Sequence, residues 1–122
     1  MRSFGRYLLV TSLFLSSVSQ GQATQLWSSC QTIIGVSNYL AANSSIYLAL
    51  SPGITGCSPN GIDGAVVFGV GTDGVTAANI TSFLAASLTA LAAGQRVMIY
   101  YDNATVTCAG IIIANNGYAG QC

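Results

Sequence analysis

No histidine, lysine or glutamate occurs anywhere in this chain, and its charged side chains come to three arginines and three aspartates. A general base poised near neutral pH is usually a histidine or a tuned carboxylate, and metal sites draw on histidine, cysteine or clustered carboxylates. Here Asp63, Asp73 and Asp102 are scattered between turns. Neither an enzyme nor a metal site nor a bound cofactor is expected. Nucleic-acid binding needs clustered Lys and Arg that release counterions from phosphates, and Arg96 is the one cation beyond residue 23. Nucleic acid is therefore not expected as a partner. Long apolar runs are also missing: after the first stretch, nothing approaches the roughly 20 residues of a membrane-spanning helix.

That first stretch reads as a leader. Arg2 and Arg6 precede an apolar run from Tyr7 to Val18 that is too short to span a bilayer and is followed by small residues, the pattern of a secretory signal peptide. Cleavage after Ser19 or Ala23 satisfies the small-x-small rule, so residues 1–23 are assigned to the leader and 24–122 to one domain that is secreted or periplasmic. The domain keeps one arginine against three aspartates, a formal charge of −2. A chain of about a hundred residues can bury a core but gains from cross-links. Four cysteines in an exported chain most simply form two disulfides, with three connectivities open. The favoured one joins Cys57 to Cys108 and Cys30 to Cys122, closing long loops worth roughly 4 kcal/mol each in the simple chain-entropy picture.

The clearest pattern lies between Thr76 and Asp102. Ile80, Phe83, Leu84, Leu88 and Leu91 fall at the i, i+3, i+4 spacing of a helix stripe that faces a core. Thr76 or Asp73 can cap its start, and Gly94 stops it by taking a left-handed conformation. The second face, with Thr81, Ser82, Ala85, Ala86, Thr89, Ala92 and Ala93, is free of charge from Val75 to Gln95. Small residues there point to close packing against another chain or another helix. Strands are expected at Leu26–Val36, where Gly35 marks a bend or bulge, at Ile46–Leu50 and at Ala65–Val70. Two more follow the helix, at Arg96–Tyr101 and Thr105–Ala114, each with alternating faces. Asn38–Ser45 and Ser51–Gly61 read as connections. Three strands, one helix and two strands match the oligonucleotide/oligosaccharide-binding (OB) fold, a mainly β, five-stranded Greek-key barrel with one α-helix between its third and fourth strands.

The segments ITGCSPN (54–60) and, beyond the helix, GQRVMIYYDN (94–103) resemble the binding subunits of subtilase cytotoxin and typhoid toxin. That family carries a cysteine after strand two, a helix, and a GQ-x-V-x-I segment opening strand four. The resemblance runs from about Trp27 to Asp102 and fades after Thr105. It implies an AB5-type toxin B subunit: a secreted OB barrel in a ring, a pentamer, that binds host cell-surface glycans and carries a catalytic A subunit. The family's serine near the start of strand one falls on Cys30, with Ser28 and Ser29 just before it, and its strand-four tyrosine falls on Tyr101. The loop after strand two is shorter here, and Ala49 replaces a cysteine that relatives carry in strand two.

Candidate glycan-binding residues are thus Tyr101, Ser29, Ser28 and Tyr100. One of the two tyrosines is expected to pack inward and the other to lie exposed, where a ring can stack on the apolar face of a sugar. Gln31 can also donate to sugar hydroxyls. Trp27 reads as an anchor under the end of the barrel rather than a sugar platform, Asp102 and Asn103 as a turn rather than a ligand contact, and Arg96 as one half of an exposed ion pair with Asp63 or Asp73 rather than a partner for an acidic sugar. The rival reading is a structural or protein-interaction module of the envelope that has no glycan ligand.

Overall fold

The computed structural model describes residues 24–122, and the expected leader lies outside the described residues. The chain folds mainly into strands: β1 (Gln25–Trp27), β2 (Gln31–Tyr39), β3 (Ser45–Ser51), β4 (Val66–Gly69), β5 (Arg96–Asp102) and β6 (Ala109–Asn115). Two helices accompany them, the single turn α1 (Leu40–Asn43) and the long α2 (Ile80–Ala93). The mixed sheet runs β1-β5-β2-β3-β4-β6, and β5 also pairs with β6. All pairings are antiparallel except β4 with β6, which meet in parallel at Val67↔Ala109. Taken in turn, β2, β3, β4, β6 and β5 are each bonded to the next, and β5 returns to β2.

Period-two patterning sets the core face of each strand. Ile46, Leu48 and Leu50 of β3 are buried, as are Val66 and Phe68 of β4 and Val97, Ile99 and Tyr101 of β5. In β2, Gly35 is the site of the expected bulge: Ile33 pairs with Leu50 and Gly35 with Ala49. Ile34 is the extra residue, and its side chain is turned out to solvent.

The expected single first strand, Leu26–Val36, is instead two. β1 pairs with β5 from Gln25↔Asp102 to Trp27↔Tyr100, the chain leaves the ladder at Ser28–Cys30, and β2 rejoins β5 at Gln31↔Val97. Ser28 bridges the break. Its N–H donates to the Ile99 carbonyl at 2.8 Å, its Oγ accepts from the Ile99 N–H at 2.9 Å, and the same hydroxyl donates to the Ser29 carbonyl at 2.7 Å. A serine oxygen standing in for a backbone acceptor lets the strand break without orphaning buried groups. The expected connection at Asn38–Ser45 is shorter than the pattern suggests, because β2 continues to Tyr39 and α1 follows at once. The last strand begins at Ala109 rather than Thr105, after a turn that ends at Cys108 in the left-handed region (φ 49°).

Helix α2 begins after a reciprocal capping pair: the Thr76 N–H donates to Asn79 Oδ1 at 2.7 Å and the Asn79 N–H to Thr76 Oγ1 at 3.1 Å. Gly94 ends it at φ 66°, with its N–H on the Ala90 and Leu91 carbonyls. The face it buries differs from the expected leucine stripe. Ile80, Ser87 and Ala90 are buried and Phe83 and Leu84 half-buried, whereas Leu88 and Leu91 are 47% and 39% exposed. Small side chains let the helix lie close to the sheet, and Ser87 is satisfied by donating to its own helix at the Phe83 carbonyl, 2.6 Å away.

One aromatic side chain ties the helix to the sheet and β4 to β6. Phe68 is fully buried and stacks on Phe83 with ring centroids 4.9 Å apart. Its ring lies so close over Gly110 that a Cβ there would fall 2.4 Å from the ring. Gly110→Ala is therefore expected to lower the unfolding free energy by about 1–3 kcal/mol through overpacking, measurable by denaturant titration. The cysteines pair as Cys30–Cys122 and Cys57–Cys108, the connectivity favoured from the sequence. No helix among the described residues is long and apolar enough to cross a membrane.

Candidate functional site

Where the ladder breaks at Ser28–Cys30, a cleft of about 220 Å³ opens beside β5. Its walls include Trp27, Ser29, Gln31, Gly53, Thr55 and Tyr101. Of the four candidate residues, Ser28, Ser29 and Tyr101 thus come together, although 73 positions separate Ser28 from Tyr101 in the chain. Tyr100 does not join them. It points to the other face of β5, where its ring lies 5.2 Å from that of Trp27.

The candidates play unequal parts. Ser28 has its hydroxyl committed to the strand junction, so its role is architectural. Ser29 is exposed and accepts a bond from Gln31 Nε2 at 3.0 Å. Tyr101 is only 5% exposed and packs in the core with Val97 and Ile99. Burial raises its phenol above the ordinary value. A sugar cannot lie flat on a ring so enclosed. Cys30, where the resemblance places a serine, is tied to Cys122.

The polar floor of the cleft is Gln31, 1% exposed at the first position of β2. Its amide clasps Gly53 from both sides: the Gly53 N–H donates to Oε1 at 2.8 Å and Nε2 donates to the Gly53 carbonyl at 3.4 Å. A glutamine here reproduces the paired donor and acceptor of a neighbouring strand. It thereby holds the loop after β3 against the sheet.

Trp27, which the sequence reading took for a buried anchor, borders the cleft at the end of β1, with its ring on the Tyr100 face of the sheet. It is half-buried, tilted between Tyr100 and Tyr118 with centroids at 5.2 and 5.3 Å. Tyr118 is held there by the C-terminal turn, closed by the Cys122 N–H on the Asn116 carbonyl at 2.8 Å and by the Cys30–Cys122 disulfide. A tryptophan braced by two other rings loses little freedom on meeting a ligand.

Arg96, expected to form an ion pair with Asp63 or Asp73, instead donates through Nη2 to the Cys30 carbonyl at 3.0 Å. Asp102 serves the expected turn. The Ala104 N–H first and the Thr24 hydroxyl second hold its carboxylate below the ordinary value. Asp73 and Asp102 border a further cavity of about 280 Å³, but its remaining walls are threonine and alanine with no aromatic surface. No group of three or more His, Cys, Asp or Glu that could hold a metal ion occurs among the described residues.

The contributions of Thr55 and the Gly53 backbone were not foreseen, because SPGITG reads only as turn-forming residues. The Pro52-Gly53 pair was the available signal, since a tight turn just after β3 must fold back on something. Compared with protein-family models, with curated proteins and with solved structures, the chain matches none.

Proposed function

We propose that this chain is a non-catalytic exported binding subunit built on an OB barrel, which assembles into a pentameric ring, takes a host glycan in the Trp27–Tyr101 cleft and carries a catalytic partner. The observation that carries the reading is the succession of pairings β2, β3, β4, β6, β5 and back to β2, with α2 between β4 and β5. That order of pairings supports the reading as a five-stranded Greek-key barrel of this class, with the split β1 and β2 as its first stave. Self-association is supported by α2, whose outward face carries Leu88 and Leu91 beside Ala85 and Ala92 and no charge. Exposed apolar surface of this kind marks an interaction site. Glycan binding is supported by a polar cleft, walled by Ser29, Gln31 and Thr55, with the braced Trp27 at its margin.

Native mass spectrometry of the protein comprising residues 24–122 is expected to show a pentamer, and a monomer at micromolar concentration would sink the ring. On a glycan array the protein is expected to find a ligand, and Trp27→Ala to weaken that ligand more than about tenfold, the loss typical of a tryptophan hot spot. A ring with no glycan ligand would instead identify a protein-interaction module.

A further inference from the structure

The cleft at Trp27 does not end at the loop after β3. A second cavity, about 260 Å³, lies on the far side of that loop, and Gly53, Ile54 and Thr55 border both. The shared wall is held from two directions: Gln31 clasps Gly53, and the Ile54 N–H donates to the Gly64 carbonyl at 3.0 Å. Gly64 is packed so tightly on Gly53 that a Cβ would sit 2.8 Å from its Cα. The two cavities are thus separated by a fixed ridge with Thr55 exposed between them. Each is smaller than the ~300 Å³ at which pockets for drug-sized ligands begin, a scale suited to one sugar ring apiece.

Charge decides what can enter. Among the described residues, Asp63 is the only charged one bordering either cavity, and no cation does so. Arg96 is occupied at the Cys30 carbonyl and borders neither. A sugar carboxylate would give up water with no positive partner and face Asp63 as a like charge. A sugar hydroxyl beside Asp63 would instead donate a charge-assisted hydrogen bond to it. Resting on the glycan-binding reading above, we infer that the groove takes an uncharged glycan of at least two rings, one in the polar cleft that Trp27 borders and the next beside Asp63.

Trp27 is the only tryptophan in the chain, so its fluorescence reports directly on the first cavity. Lactose, maltose, chitobiose and mannobiose would be titrated alongside the methyl glycosides of their rings and 3′-sialyllactose. The expected result is a saturable change with a neutral disaccharide, at least about tenfold tighter than with its single ring. Asp63 is exposed, so Asp63→Asn keeps the fold. It should weaken the disaccharide about tenfold, the worth of one hydrogen bond to a charged group, and leave the single ring unchanged. Two outcomes overturn this inference while leaving glycan binding intact: 3′-sialyllactose preferred over every neutral probe with Arg96→Gln removing the preference, or an Asp63→Asn protein that binds the disaccharide undiminished. If no saccharide moves the Trp27 emission and none is retained on an array, the glycan reading fails and this inference fails with it.

Discussion

Phe68→Ala is expected to lower the unfolding free energy by about 3–5 kcal/mol, the upper range for losing a buried aromatic ring. The ring is fully enclosed, stacks on Phe83 of α2 and covers Gly110 of β6, so one side chain joins β4, β6 and the helix. The cavity left behind cannot readily collapse. Gly110 has no side chain to move into it, and β4 and β6 are bonded at a single pair of positions. Urea unfolding followed by circular dichroism would show the midpoint falling at an unchanged slope, and a shift below about 1 kcal/mol would refute the account. Because α2 loses its stacking contact with β4, the same variant is expected to lower the assembled fraction in native mass spectrometry.

Removing Cys57 and Cys108 together is expected to cost about 4 kcal/mol, from the loop-closure entropy of a cross-link spanning 51 positions. Both cysteines are buried, at 3% and 0% exposure, so the double alanine variant also leaves a small void. The cross-link ties the loop carrying the groove ridge to the start of β6. Its loss should therefore weaken ligand binding as well as stability. Cys30–Cys122 spans 92 positions and closes the longer loop, yet its removal is expected to cost less overall. It anchors the last turn of the described chain, which can detach from Trp27 while the core stays folded. Denaturant titration of the two double variants ranks the pairs, and equal midpoints would contradict this local-release argument.

The stability of the core and the placement of its strands follow largely from local pattern. Alternation at Ile46, Leu48 and Leu50 and at Val97, Ile99 and Tyr101 tells which side chains turn inward, because a strand shows only two faces. Gly94 and Gly35 announced a helix stop and a bulge because the backbone there needs a residue without a Cβ or a break in pairing. The same logic failed for α2. Its second face offers alanine, serine and threonine rather than charge, so no strongly solvated side opposed the leucines. The orientation was then decided by what the sheet presents, with Phe68 stacking on Phe83 and close approach favouring Ser87 and Ala90.

The candidate site was legible only in its parts. Ser28, Ser29 and Tyr101 could be picked out along the chain, but their convergence depends on β1 and β5 pairing across more than seventy positions, which no local pattern encodes. That pairing also turned Tyr101 into the core, made Ser28 a strand bridge and left Trp27 half-buried beside Tyr100 at the margin of the cleft. By itself the sequence determined the absence of histidine, lysine and glutamate, the alternation of the strands and the supply of cysteines, since each depends on residue identity or on neighbours within a few positions. Only the tertiary structure decided the break in the first strand, the face of α2 that meets the core and the groove between Trp27 and Asp63. Those depend on which distant backbone groups bond and on which side chains fit between them.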